Sequence, residues 1–372
     1  MAEYQIWLTD DAGVRIKLLK GYAFCTYSRA SQGYGTFHIG IPINLFDVDP
    51  LFIPDRRVEI WRSPAPGFVS RREGSYFLRK WNAYTRNDGM TIIEFFGRSP
   101  IDILRRQSVS SYTASAYSKT GPADDVMKEI VYENFVSPAQ TAPSGEFLVD
   151  GDEGQGPTIS ASFFGDNVLD ILDDIRKTTF IKNKADATDK KIYFDVVEGA
   201  PLYGGGYGYI FRTYSEYRGT DRTTGVIFSV ENGNLDNPSY YEDHLSSYTN
   251  VATMNGAAST YNGSAESGDK DLSRWNDSLK IEGTSKEDTT VNNDKAEQIL
   301  QDNSADKAFN GTFLNSPGSD RQPRSLYGID WDMGDLVRVQ YAGKNFNVEV
   351  SIVYVSVDES GKENITGLTK VQ

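Results

Sequence analysis

The segment at positions 4–18, YQIWLTDDAGVRIKL, shows the pattern on which the fold depends. Apolar side chains recur at every second position on both sides of a polar stretch, at Tyr4, Ile6 and Leu8 and again at Val14, Ile16 and Leu18. Successive side chains of a strand point to opposite faces, so each trio lies on one face of its strand. The polar stretch 10–13 ends in Gly13 and suits a turn. The segment therefore predicts a β-hairpin.

The same alternation continues through the first 100 residues. Further strands are predicted at 22–28, 34–41, 57–61, 75–81 and 90–96, with short polar turns such as 86–89 between them. The chain is also rich in residues that favour strands and turns, with 22 Tyr, 19 Phe and 34 Gly. Seven short antiparallel strands predict a small barrel or a tightly bent sheet.

The pattern changes after residue 100. Pro122, Asp124 and Asp125 suit the first turn of a helix, and apolar residues at helical spacing continue it to Asn134. A second helix is predicted from Asn167, as its N-cap, to about residue 179. Strands are expected near 146–149, 191–197 and 207–214.

The last third is expected to contain a long polar loop, a helix and three strands. The loop covers 260–277, which is rich in Ser, Gly, Asn and charged residues. The helix is predicted at 293–304 and the strands at 336–341, 345–357 and 364–369. The expected fold class is mainly β with an α+β middle: a barrel-like domain at 1–100, a mixed domain at 101–245 and a β-rich domain at 246–372.

Composition excludes several kinds of protein. The single cysteine, Cys25, excludes an internal disulfide framework, and the sequence has no Cys/His cluster for structural zinc. His38 and His244 are the only histidines, and His38 falls in a strand pattern, which favours a structural role. Segment 1–5 shows no secretory signal, which predicts folding in a cytoplasm. No apolar run approaches the ~20 residues of a membrane span, so no membrane partner is expected.

Two motifs resemble ligand loops and lack their essential residues. The glycine-rich stretch 202–208, LYGGGYG, has no completed G-x-G-x-x-G and no following Lys-Ser/Thr, so a hairpin is the better interpretation. The stretch 150–154, DGDEG, opens like a calcium loop, but Ala161 stands where a bidentate Glu is needed. We therefore predict no cofactor-binding and no metal-binding residues.

Catalytic signatures are also missing from the sequence. No G-x-S-x-G elbow, H-E-x-x-H helix or Asp-Thr/Ser-Gly pair occurs, and no catalytic residues are predicted. The 52 acidic residues carry no information about a glycosidase pair, because some pair will always have a suitable spacing. A wall-degrading hydrolase therefore stays open as an alternative.

Charge sets expectations about nucleic acid. The formal net charge of −14 disfavours stable binding to phosphate backbones and is compatible with a channel that DNA traverses without binding. The densest basic segments are Arg71-Arg72, Arg79-Lys80 and Arg105-Arg106. We interpret them as a solvated face or as inter-subunit ion pairs, with contact to passing DNA as the alternative.

From about residue 100 onward, an ordered series of short motifs resembles siphovirus minor tail or tail-hub proteins of long-tailed bacteriophages. The motifs are 103–106 (ILRR), 125–128 (DVMK) with Val131 and Asn134, 219–223 (GTDRT), 226–229 (VIFS), 233–234 (GN), 250–252 (NVA) with Gly256, and 327–337 (YGIDWDMGDLV). Within them, Gly219 and Asp221 suit a tight turn, Arg222 can pair with Asp221 or cap carbonyls, and Phe228 begins an apolar strand face. The structural motif residues singled out are Gly219, Asp221, Arg222, Phe228, Asn250, Trp331, Gly334 and Asp335.

The resemblance implies a virion protein of the tail tip with phage tail-hub architecture. Such a hub forms a homotrimer, a pseudo-sixfold ring around the DNA exit channel. The partners implied are the distal tail protein, the tail tube and tail fibre or spike proteins, with transient passage of DNA. A receptor- or carbohydrate-binding module is the main alternative, suggested by Tyr112, Tyr117, Tyr203 and Tyr207.

Overall fold

Strand pairing dominates the structure. The computed structural model describes residues 2–10, 13–31, 33–42, 53–64, 67–109, 117–136, 147–163, 165–185, 190–201, 207–243, 251–255, 263–266, 276–280, 306–319 and 323–370. These ranges are mainly β, which confirms the predicted fold class. No helix in the described ranges is both long enough and apolar enough to cross a membrane.

The described part of the first 100 residues forms seven strands, as predicted. They are β1 (Glu3–Thr9), β2 (Arg15–Leu19), β3 (Phe24–Ala30), β4 (Thr36–Pro42), β5 (Arg57–Ser63), β6 (Arg71–Thr85) and β7 (Thr91–Arg98). The predicted first hairpin is confirmed, with Ile6 opposite Leu19. Ile6 and Leu8 are buried, whereas Val14 and Ile16 are exposed and Leu19 supplies the buried side chain of β2. Among the described strands, β2 lies at one end of the sheet.

The helices of the described ranges lie in the middle of the chain. A 3-10 helix, Pro100–Arg106, precedes β8 (Tyr117–Pro122) and α1 (Ala123–Val131), which ends in a π-helical turn, Tyr132–Val136. The strand β9 (Phe147–Val149), β10 (Thr158–Phe163) and α2 (Val168–Ala185) follow, and then β11 (Ile192–Pro201) and β12 (Tyr207–Ser215). Both predicted helices are confirmed. Asn167 Oδ1 accepts the Leu169 N–H at 3.0 Å, which is the expected N-cap bond.

The rest of the chain returns to strands. These are β13 (Ile227–Ser229), β14 (Leu235–Asp243), β15 (Val251–Asn255), β16 (Gly263–Glu266), β17 (Asn276–Lys280), β18 (Asp306–Phe313), β19 (Leu336–Tyr341), β20 (Lys344–Asp358) and β21 (Glu363–Lys370). The expectation of one loop over 260–277 is wrong, because β16 lies inside it and pairs with β15. Backbone hydrogen bonds define β16. It could not be predicted, because its sequence shows no alternation of apolar and polar residues. The helix predicted at 293–304 lies outside the described residues.

In the described part of the chain, one sheet of thirteen strands includes strands from both ends of the sequence. Its main path runs β14-β18-β21-β20-β3-β4-β7-β6-β5-β1-β2, and β19 and β13 branch from β20. The join is the antiparallel pair β3–β20, from Ile352 opposite Ala30 to Asp358 opposite Phe24. The first 100 residues and the last strands therefore share a sheet and one hydrophobic core.

A second core belongs to the middle of the chain. It packs α1, α2 and the strands β9, β11 and β12 around side chains such as Met127, Leu172 and Phe211. Strand β6 borders both cores, because Tyr76 and Leu78 point into the first and Phe77 into the second. We call the two units the sheet body and the middle module. The predicted division into three sequence segments stays a prediction, to which the structure adds this shared sheet.

Candidate functional site

The motif residues 219–223 and 327–337 meet at one place, where the chain leaves the middle module and returns to the sheet body. Gly219 donates its N–H to the Gly334 carbonyl at 2.9 Å. The Asp335 carboxylate accepts the Thr220 N–H at 2.7 Å and the Arg222 Nε–H at 2.7 Å. Two segments more than 100 positions apart are therefore held by one buried carboxylate.

The Asp335 carboxylate also shapes its own turn. Its Oδ2 accepts the Asp332 N–H at 2.8 Å, and Gly334 has a φ of +86°, which favours glycine. Burial raises the pKa of Asp335 above its ordinary value, although the Thr220 N–H and the Arg222 guanidinium act in the opposite direction. We call the contacts made by this carboxylate the Asp335 junction.

Arg222 and Asp221 do not pair as the sequence suggested. Arg222 binds Asp335, whereas the Asp221 carboxylate accepts the backbone N–H and the hydroxyl of Thr223 at 2.9 and 2.7 Å. These two bonds to Thr223 stabilise the tight turn that was predicted at Asp221. Sequence proximity was misleading, because the partner of Arg222 is more than 100 positions away.

Aromatic packing lies beneath the Asp335 junction. Phe228 stacks on Phe313 with ring centroids 4.0 Å apart, and Trp331 meets Phe228 edge-on at 5.8 Å. Trp331 is fully buried, and its indole N–H donates to the Ser325 carbonyl at 3.1 Å. Phe228 and Trp331 are therefore core residues of the sheet body. Asn250, the remaining predicted motif residue, lies outside the described residues.

A partly buried charge network, which sequence inspection missed, lies next to the junction. Asp332 accepts hydrogen bonds from Arg29 Nη1 at 2.6 Å and Arg71 Nη1 at 2.7 Å. The Tyr327 hydroxyl donates to Glu73 at 2.7 Å and accepts from Arg29 at 2.9 Å. Burial alone would raise the pKa of Asp332, but the two guanidinium groups hold it below its ordinary value.

A second part of this network connects the chain ends. The Arg62 guanidinium, which is fully buried, binds Glu363 through Nε and Nη2, both at 2.9 Å. The Tyr4 hydroxyl donates to the same carboxylate at 2.7 Å. Such a bidentate pair fixes the relative position of both partners. The network thus connects β1, β5 and β21.

Charged pairs also join the middle module to the sheet body. Arg218 binds the carboxylate of Asp195 and donates to the Ala30 carbonyl at 2.7 Å, and Arg72 binds Glu198. Burial raises the pKa of both Asp195 and Glu198 above the ordinary carboxyl value. A polar cavity of about 210 Å³ lies between these pairs.

The basic segments singled out in the sequence form ion pairs within the chain. Arg71 and Arg72 belong to the contacts above, and Arg79 and Arg106 both bind Asp55, with Arg106 at 3.0 Å. These arginines thus have acidic partners within the chain, and their role in inter-subunit ion pairs stays a prediction. Some of their partners are close in sequence, as Glu73 is to Arg71, whereas Asp55 and Glu198 are distant from the arginines that they bind.

The other sequence candidates provide no site in the described part of the chain. No group of three potential metal ligands occurs there, and Cys25 is buried. His38 Nε2 lies 3.0 Å from Glu94 Oε1 and its ring stacks on Phe96, in keeping with a structural role. Tyr112, Tyr203 and His244 lie outside the described residues. Tyr117 and Tyr207 are in strands.

Comparisons with known proteins agree with the phage-tail resemblance. The family model described as "Siphovirus ReqiPepy6 Gp37-like protein" matches residues 3–366. The match thus includes the first 100 residues, to which the motif series did not extend. A search of curated protein sequences found no match.

Two solved structures share the fold over nearly the whole chain. The 43 kDa tail protein of prophage MuSo2 from Shewanella oneidensis is 12% identical, with a TM-score of 0.55, and the match covers 99% of this chain and 97% of that one. A tail protein from Neisseria meningitidis MC58 is 10% identical, with a TM-score of 0.56 and coverage of 99% and 96%. The chain has a phage tail-protein fold, and it belongs to the siphovirus ReqiPepy6 Gp37-like family of structural tail proteins.

Proposed function

We propose that the protein is the non-catalytic hub of the distal tail. In this proposal three copies form a ring around the DNA exit channel, at the tail tip of the virion, after assembly in the host cytoplasm. The ring would join the tail tube and the distal tail protein to fibre or spike proteins. Family membership supports a structural role in the tail, and the hub position is our extension of it.

The join between β3 and β20 is the structural observation that carries the proposal. It unites a β lobe of strands β1–β7 with a second β lobe of strands β13, β14 and β18–β21 in one chain. Three copies of a two-lobed chain present six β lobes, which suits contact with a sixfold tube. The shared core and the Arg62–Glu363 pair make the two lobes a single rigid support.

Charge supports the channel part of the proposal. The chain carries 52 acidic and 38 basic residues, and several arginines are already paired inside the fold. An acidic lining would repel passing phosphates by up to ~1 kcal/mol per close pair in water. DNA could therefore traverse the ring without being retained.

Mass measurement tests the stoichiometry. Light scattering of the purified chain should give three times its 41.4 kDa mass at high concentration. A stable monomer would contradict the homotrimer.

The non-catalytic part of the proposal is tested separately with labelled cell wall. We expect no release of fragments above a heat-treated control. A release of fragments that one acid-to-amide substitution abolishes would instead support a hydrolase.

A further inference from the structure

Strand β11 of the middle module directs polar side chains toward the sheet body. Every second residue of its first half packs in the core of the middle module, at Ile192, Phe194 and Val196. Tyr193 and Asp195 lie between them in sequence, so their side chains point to the opposite face of the strand. The Tyr193 hydroxyl donates to Glu349 of β20 at 2.7 Å, across the boundary between the two units.

Glu198 extends this polar face toward the end of β11. The pairing of β11 with β12 is irregular between Glu198 and Pro201, where the strict alternation of faces ends. Glu198 binds Arg72 of the sheet body, and Asp195 binds Arg218. We call Tyr193, Asp195 and Glu198 the docking face of the middle module.

The contact made by the docking face is polar and contains space. The polar cavity of about 210 Å³ is lined by Asp195 and Glu198 on one side and by β3 and β6 on the other. The two units have separate hydrophobic cores, and Phe77 of β6 meets Tyr209 at a ring distance of 5.4 Å where they adjoin. A polar contact between two separate cores is typical of units that move relative to each other.

In the described ranges, the chain passes between the two units at two short segments. The first lies between β7 and the 3-10 helix, at 99–100, and the second is 216–218, between β12 and the Asp335 junction. Glu216 has a φ of +74°, which is uncommon for a residue other than glycine, so the chain turns sharply as it leaves β12. Two short connections suit a hinge, because few backbone angles have to change when one unit rotates.

Charged and titratable groups surround the Glu198 carboxylate, whose side chain is only 4% exposed. Burial raises the pKa of Glu198 above its ordinary value, and the charge of Glu59 acts in the same direction. The arginines and the Ser75 hydroxyl act in the opposite direction. The groups that face Glu198 are Arg57 and Glu59 of β5, Arg72 and Ser75 of β6, and Tyr209 of β12.

Asp195 is in a similar position. Burial raises the pKa of this carboxyl too, although the guanidinium groups of Arg218 and Arg29 act in the opposite direction. Tyr214 of β12 also faces it. If the docking face separated from the sheet body, both carboxylates would meet water, where a carboxyl pKa is about 4. Each carboxylate therefore binds a proton more tightly in the docked arrangement.

We propose that the middle module is a hinged unit whose docking on the sheet body takes up protons at Asp195 and Glu198. The docked arrangement is favoured most below the ordinary carboxyl pKa, and this advantage is lost as the pH rises through the docked-state values. A protonated Glu198 can donate a hydrogen bond to the Ser75 hydroxyl, which an ionised carboxylate cannot do. The proposal does not depend on the hub assignment.

The test needs a local readout, because Asp332 in the sheet body has a pKa shift of the opposite sign. Ser28 is buried, lies on β3 and lines the cavity, so Ser28→Cys places a thiol that becomes accessible when the docking face separates. Its rate of reaction with methyl methanethiosulfonate is divided by the rate in the urea-unfolded protein at the same pH. This ratio should rise about tenfold between pH 5 and pH 8, the factor that corresponds to one pKa unit.

Cys25 of the wild-type protein is the matched control. It lies on the same strand, fully buried in the core of the sheet body, and its reaction therefore reports opening of that core. We expect Cys25 to react more slowly than the new thiol and without the rise between pH 5 and pH 8. A new thiol that reacts as slowly as Cys25, or whose ratio does not change with pH, would overturn the proposal.

Amide substitutions identify the groups that take up the protons. In the Ser28→Cys background, Glu198→Gln should reduce the rise with pH, and Glu198→Gln with Asp195→Asn should abolish it. Asp174→Asn changes a side chain that is 72% exposed and should leave the rise intact. A full rise that persists in Glu198→Gln and in the double variant would overturn the assignment to these two carboxylates. If the double variant does not fold, Glu198→Gln alone decides.

Discussion

Gly219 and Asp335 are so close that no other residue fits at position 219. A Cβ atom on Gly219 would lie 2.4 Å from Oδ1 and 2.5 Å from the backbone nitrogen of Asp335. The backbone of Asp335 cannot move aside as a flexible side chain can. The two segments of the Asp335 junction would therefore have to separate to make room for the Cβ atom. The glycine of the motif is thus explained by a close approach between segments.

Gly219→Ala should lower the free energy of unfolding by at least ~2 kcal/mol, because it forces the Asp335 junction apart. Urea denaturation followed by circular dichroism measures this. Gly151→Ala is the matched control: Gly151 is exposed and has open space at its Cβ position, so a change within ~0.5 kcal/mol is expected. Equal stabilities of the two variants would contradict the described packing.

Tyr327→Phe should lower the free energy of unfolding by about 2 kcal/mol, because it removes the hydroxyl that links Glu73 and Arg29. The ring remains, so core packing is retained. Tyr354→Phe removes an exposed hydroxyl from β20 and serves as the control, with little change expected. If Tyr327→Phe left the free energy of unfolding unchanged, the charge network would not depend on this hydroxyl.

Asp332→Asn should remove a pH-dependent part of the stability. Since the folded-state pKa of Asp332 is lowered, its ionised form stabilises the fold above the ordinary carboxyl pKa of about 4, and this stabilisation is lost as the pH falls through the lower folded value. The wild-type advantage over Asp332→Asn should therefore be full at pH 7 and shrink below pH 4.

Denaturation series at several pH values measure that difference in unfolding free energy. Asp174→Asn, at a side chain that is 72% exposed, should give a small difference at every pH. If the advantage over Asp332→Asn persisted unchanged to the lowest pH at which both proteins fold, Asp332 would not carry the pKa shift assigned to it.

Local pattern was enough to predict most of the strands and both described helices. Alternation revealed the β1–β2 hairpin, and Asn167 with its following apolar stripe revealed α2. These features depend on neighbours in sequence. Strand β14 was missed because Pro238 and a bulge interrupt its alternation, and β16 because its four residues are polar or small.

The long-range contacts could not be predicted in the same way. The motif series included Gly219, Gly334 and Asp335, yet nothing in their spacing showed that the two segments touch. The Arg62–Glu363 pair and the β3–β20 join connect opposite ends of the chain. Such pairings depend on the topology of the whole sheet, and the hydrophobic periodicity of a sequence gives no information about that topology.

The most direct test of the hub assignment is a cryo-EM reconstruction of the distal tail of the virion. The account predicts three copies of the chain in a ring on the tail axis, with a net negative surface toward the channel. A threefold ring with a basic lining would contradict only the electrostatic part. A single copy at the periphery, away from the axis, would contradict the hub itself.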